Sequence, residues 1–163
     1  MGVLLAWEDY LATGDPTHLA VDYDIFVARN LDGFLNGAGL VEKDPGSSSQ
    51  VNGDLVDWPA AHRDACVFRR VNTVINSWQY AAYSALAVAA ITGRDDHATL
   101  YADRAASLRA AINRDMLVGG SYVDGVGTTH RAQHATAFPV ALGVADDGDL
   151  AVWVSGWLRV GFE

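Results

Sequence analysis

The sequence predicts an all-α fold, organised as an array of αα-hairpins, and three observations carry that prediction. The 163 residues include 26 alanines, and half of the composition is apolar. Alanine favours helix and lets neighbouring helices approach closely. Between Val71 and Ala89 the apolar residues Val71, Val74, Ile75, Trp78, Ala82, Ala85, Leu86 and Ala89 fall at the spacing of one buried helical face. A single punctuation also occurs three times, as Leu11-Ala12-Thr13-Gly14-Asp15, Ile91-Thr92-Gly93-Arg94-Asp95 and Leu142-Gly143-Val144-Ala145-Asp146. Each reads as helix, glycine, aspartate cap, helix, which is the joint of a helical hairpin.

Taken in order, a first helix over Gly2–Thr13 is predicted from its apolar run and ends at Gly14-Asp15-Pro16. A second runs from about Thr17 to Asn36, with Ile25, Leu31, Phe34 and Leu35 on its apolar side. Residues Gly37 to Leu55 turn to Gly, Ser, Asp and Pro, a loop long enough to serve a function. A second irregular stretch then runs from Val56 to Arg70. The third helix follows it and stops at Thr92-Gly93, where Asp95 or Asp96 caps a fourth with Tyr101, Ala105, Leu108 and Ile112 on one face. Met116 to Gly127 is glycine-rich, with Ser121-Tyr122-Val123 as a short extended piece. A fifth helix covers about Ala132 to Leu142 despite Pro139, and Asp146 or Asp147 caps a last one reaching about Arg159.

The length suits one domain. Its formal charge of −9 comes from 17 Asp and 3 Glu against 10 Arg and a single Lys. Nucleic acid and anionic membranes both need a basic face, so neither is expected as a partner. Neutral polar ligands such as sugars are compatible with that charge. Cys66 is alone, so no internal disulfide can form. No apolar run approaches 18 residues and the start lacks a basic n-region, so a cytoplasmic location is expected.

Asp57-Trp58-Pro59-Ala60-Ala61-His62-Arg63-Asp64 lies in irregular chain directly before the best-patterned helix. A tryptophan face stacks on the apolar side of a sugar ring, while Asp and Arg hydrogen-bond its hydroxyls. The same residues also suit a loop anchored by Trp58 and held by an Arg–Asp pair. Along the third helix runs a polar stripe of Asn72, Asn76, Gln79, Tyr80 and Tyr83, fit either to bind hydroxyls or to satisfy neighbouring chain inside a helical ring. His130 and His134 stand four apart, but Arg131 occupies the place where a zinc-protease motif needs Glu, and no third ligand is evident. No metal site is expected, and His134 reads better as a hydrogen-bonding residue at the end of a cleft. There is no Gly-x-Ser-x-Gly elbow, P-loop or dinucleotide fingerprint. A pair of carboxylates for glycoside hydrolysis could draw on Asp57, Asp64 and Asp124.

Several stretches, in order, resemble bacterial α-L-rhamnosidases: Tyr10-Leu11-Ala12-Thr13-Gly14-Asp15, Leu55-Val56-Asp57-Trp58-Pro59, Val71-Asn72-Thr73-Val74-Ile75-Asn76, Thr92-Gly93-Arg94-Asp95-Asp96, Leu108-Arg109-Ala110-Ala111-Ile112-Asn113, Tyr122-Val123-Asp124-Gly125 and Gln133-His134-Ala135-Thr136-Ala137-Phe138-Pro139-Val140-Ala141-Leu142-Gly143. The resemblance covers most of the chain. It implies an (α/α)6 toroid around a sugar cleft, the six-hairpin glycosidase fold, and inverting hydrolysis of terminal α-L-rhamnosides without a cofactor. It carries substrate contact over to Asp57, Trp58, Arg63 and His134, and a rhamnoside-type glycan as partner.

Two elements of the family pattern have no counterpart here. The general acid in an Asp-Gly-Pro-type motif and the general-base Glu in a Trp-Glu-type motif fall outside the part resembled, so no residue takes a catalytic role. About three hairpins are legible where a closed toroid has six. Residues 1–163 are therefore expected to be one partial six-hairpin domain, a fragment inactive alone. Self-association through its open hairpin ends is also expected. The alternative is a free-standing helical-repeat module that binds carbohydrate or protein without catalysis.

Overall fold

Helix α1 runs over Gly2–Thr13 and stops where Gly14 takes a φ of +74°, a conformation glycine enters without steric cost. The same turn recurs at Gly93 (+75°) and Gly143 (+78°), so all three glycines of the repeated punctuation end a helical segment. These features are seen in a computed structural model, which describes residues 2–44, 56, 61 and 64–146.

Beyond Gly14 the Asp15 carboxylate accepts the Thr17 N–H at 2.9 Å and opens α2, Thr17–Val21. The single helix expected from Thr17 to Asn36 is instead divided into α2, α3 (Tyr23–Arg29) and a 3-10 turn at Asp32–Phe34. The cause is side-chain competition for backbone groups. Asn30 is extended and its side chain takes the Asp32 N–H at 2.8 Å, while the Leu31 N–H goes to Gln79 Oε1 at 3.0 Å. The apolar side changes with the break. Leu19 and Tyr23 are buried and Phe26 and Val27 pack on the core, whereas Ile25, Phe34 and Leu35 are exposed.

Helix α4 spans Thr73–Leu86 and tightens into a 3-10 segment over Ala87–Thr92. Helix α5 spans Asp95–Met116, with Tyr101, Ala105, Leu108 and Ile112 buried as their spacing predicts. Neither Asp95 nor Asp96 caps it, a departure from expectation: both lie in its first turn, where their charge suits the helix dipole. The antiparallel strands β1 (Leu117–Val118) and β2 (Ser121–Tyr122) follow, then α6, Gln133–Ala141, with Pro139 inside it. Helix α4 is central. It packs on α5 and touches α1 and α6, while α1 packs on α2 and α3.

The polar stripe of α4 is buried as deeply as its apolar stripe, except at the half-buried Tyr80. Asn72, Asn76, Gln79 and Tyr83 are each at most 3% exposed, while Ile75, Trp78 and Ala82 of the apolar stripe are only half-buried. The structure therefore shows that stripe serving neighbouring chain. Asn76 Oδ1 accepts the Val41 N–H at 2.7 Å and its Nδ2 donates to Val41 O at 3.1 Å. Tyr83 donates to Asp32, which also receives Arg104 of α5. These bonds lay the start of the long connection, residues 30–44, across α4. Its far end is tied back where Lys43 N–H donates to Arg70 O at 2.9 Å and Glu42 meets Arg70 at 3.1 Å.

Tyr23, Tyr83 and Tyr101 cluster between α3, α4 and α5. The Tyr83 and Tyr101 rings stack at 5.9 Å, and Arg94 lies 4.6 Å over the Tyr23 ring. Burial is the largest cause raising all three phenols, Tyr23 to about 12. Unfolded tyrosines ionise from about 10. The unfolded chain then holds fewer protons than the folded one, so stability falls as pH rises. Alkaline melting should show stability intact below pH 10 and declining between about 10 and 12, and the Tyr23→Phe variant should decline less over that window.

At the C-terminal side, Arg109 of α5 donates to Val144 O at 3.0 Å and meets Asp146 at 2.5 Å. The remainder of the last expected helix, from residue 147, lies outside the described residues. Among the described residues no helix is long and apolar enough to cross a membrane.

Candidate functional site

Tight glycine turns follow α1 and α6 and the 3-10 extension of α4, whereas the segments leading into the N-terminal ends of α4 and α6 are long. Long connections on a rigid scaffold are where binding groups collect. The two N-terminal ends are fastened to each other by one side chain, Asp124. Its carboxylate is wholly buried, with Oδ1 accepting the Ala132 N–H at 2.6 Å and Oδ2 accepting the Val67 N–H at 2.7 Å. His130 Nδ1 also stands 2.7 Å from Oδ2. The Asp124 backbone joins the same knot, since its carbonyl takes the Thr73 N–H at 3.0 Å and its N–H donates to His130 O at 2.9 Å.

Gly125 follows and forms a bridge with Asn72 at the cap of α4. A Cβ at this position would sit 2.2 Å from Val71 O, so the close approach of the two segments excludes every residue with a side chain. The chain before α4 is drawn to α6 as well. Asp64 Oδ2 accepts the Gln133 N–H at 2.8 Å, satisfying one of the orphan donors of the α6 first turn. Asp64 and Ala65 hold φ values of +50° and +52°, a conformation that costs on the order of 1 kcal/mol for a residue with a Cβ. The bonds at Asp64 and at Val67 offset that cost.

His134 sits in the first turn of α6, half-buried, with its ring stacked on Phe138 at 6.3 Å; Phe138 in turn meets Trp78 of α4 at 5.3 Å. An aromatic row therefore crosses from α6 to α4. Asp57, Trp58 and Arg63, the other residues expected to touch substrate, lie outside the described residues. Of the carboxylates considered for hydrolysis, Asp124 is enclosed and Asp64 caps a helix, so each is engaged in holding backbone.

His130 precedes the start of α6, so it does not share a helical face with His134, and its partner is Asp124. Among the described residues no group of three or more His, Cys, Asp and Glu could hold a metal ion. The joining of Asp124 to His130 was not legible in the sequence. Only the Asp-Gly pair and the later histidine were visible, six positions apart and with no periodicity to link them.

No curated protein matches the sequence significantly. The family model for the bacterial alpha-L-rhamnosidase 6 hairpin glycosidase domain matches residues 1–157, nearly the whole chain, and the mostly helical structure agrees with it. On that match the chain belongs to the bacterial alpha-L-rhamnosidase six-hairpin glycosidase family, and its helices are part of an all-α toroid of that kind.

Proposed function

We propose that this chain supplies one wall of a rhamnoside-binding cleft, in a domain whose complete form hydrolyses terminal α-L-rhamnosides with inversion. The observation that carries the reading is the knot at Asp124, which brings the two long connections of a six-hairpin glycosidase family member to one end of α4 and α6. Asp57, Trp58 and Arg63 belong to the connection entering α4, and His134 to the start of α6. In this reading they contact the sugar: Trp58 by stacking, the others through hydroxyls.

The acid and base of the reaction lie outside the part of the family pattern that this chain carries. The chain alone then binds sugar weakly and turns nothing over. Leu5 and Leu11 on α1, with Val21 and Ile25 beyond them, are exposed apolar residues that suit contact with further helices of the toroid or with a second copy.

Calorimetric titration of the purified chain with L-rhamnose, beside an assay on an aryl α-L-rhamnoside, tests both halves. The expected result is measurable binding with no release of the aryl group. Hydrolysis would overturn the inactivity, and absence of binding would overturn the cleft.

A further inference from the structure

The Asp124 knot leaves one of its members unfinished. His130 uses Nδ1 inward, 2.7 Å from a wholly buried carboxylate, while 37% of its side chain remains exposed. The direction of the inward bond follows from the company it keeps. Both Asp124 oxygens already accept backbone N–H groups, from Ala132 and Val67, so the carboxyl acts as an acceptor on each. A carboxylate only accepts, so the hydrogen between them is assigned to the ring nitrogen. In the neutral imidazole the other nitrogen, Nε2, is left with a bare lone pair. The backbone of His130 is held too, its N–H donating to Thr128 Oγ1 at 3.1 Å and its carbonyl accepting from Asp124. The ring is thus fixed in position and in tautomer.

A bare, fixed acceptor suits a neutral hydroxyl donor. It offers nothing to a carboxylate or phosphate, which would need a proton there. We propose that His130 is a substrate-binding residue whose Nε2 accepts a hydrogen bond from a sugar hydroxyl, with Asp124 as the positioning residue that sets its tautomer. The proposal rests on the cleft reading above and adds a residue to it, on the opposite connection from Asp57 and Trp58. His134, in the first turn of α6, follows four positions later in the chain.

Two substitutions separate holding the loop from holding the sugar. In His130→Asn the amide occupies the place of Nδ1, so it keeps a donor toward Asp124 and deletes the outer nitrogen. In His130→Gln the amide reaches the place of Nε2 and loses the inner bond. Titration of the full chain with L-rhamnose should show His130→Asn folding as the wild type does, while binding about three- to tenfold more weakly, the loss expected for one hydrogen bond. Equal binding by His130→Asn and wild type would overturn the inference and leave the cleft reading standing. No binding by the wild type would overturn both.

Nitrogen-15 NMR of the wild-type histidines keeps the question answerable should the variants fail to fold. The expected spectrum places the hydrogen of the neutral His130 ring on Nδ1, and the Nε2 resonance moves on adding L-rhamnose. A protonated Nε2 in the free protein, or a resonance indifferent to a saturating sugar, would overturn the inference.

Discussion

Replacing Asp124 with alanine is expected to destabilise the chain by about 2–6 kcal/mol, since it strands two buried donors at about 1–3 kcal/mol each. The truncation would leave the Val67 and Ala132 N–H groups buried without an acceptor, and it would free His130. Denaturant unfolding of wild type and variant measures the difference. The loss should reach beyond one loop, because three stretches of chain around residues 67, 124 and 130–132 meet at this carboxylate. A variant within about 1 kcal/mol of wild type would show that these stretches hold together by apolar contact alone.

The next largest effect should come from Asn76→Ala, at about 2–4 kcal/mol for a buried polar group whose partners are stranded. Asn76 is fully buried, and both its amide groups are spent on Val41, with a second donation from Nδ2 to Asn72 O at 2.9 Å. Alanine fits a helix at least as well as asparagine, so helical propensity alone would make the substitution favourable by a few tenths of a kcal/mol. Urea unfolding decides between the two forces. A more stable variant would mean that the 30–44 segment is held on α4 without this amide.

Local signals carried much of the fold. The Gly–Asp punctuation located three helix ends, and the buried side of α5 was visible in Tyr101, Ala105, Leu108 and Ile112, because both depend on residues within a few turns of one another. Helix α4 shows where such reading stops. Its 3-4 spacing gave the apolar residues as the buried face, and Val71, Val74, Ala85 and Leu86 are buried, yet Ile75 and Trp78 stay half-open while Asn76 and Gln79 are sealed. Hydrophobic periodicity cannot show that a segment more than 30 positions upstream will lay its backbone across those amides. The divided α2–α3 is the same event seen from the other side, since Gln79 takes the very N–H that a continuing helix would use. At the site, His134 was found where expected in the first turn of α6, but the link between Asp124 and His130 depends on a tertiary fold through β1 and β2.

The Lys43–Arg70 hydrogen bond has a consequence for how such a domain can diversify. It closes the base of the connection that leads into α4, so the chain between those two residues begins and ends at one fixed place on the helical frame. Closure entropy grows only logarithmically with length, by about 0.6 kcal/mol for each doubling. Changes of length between residues 43 and 64, short of the bonds made by Asp64 and Val67, therefore cost little in closure. A lineage could thus lengthen or shorten this connection while the Asp124 knot at its end stays in place.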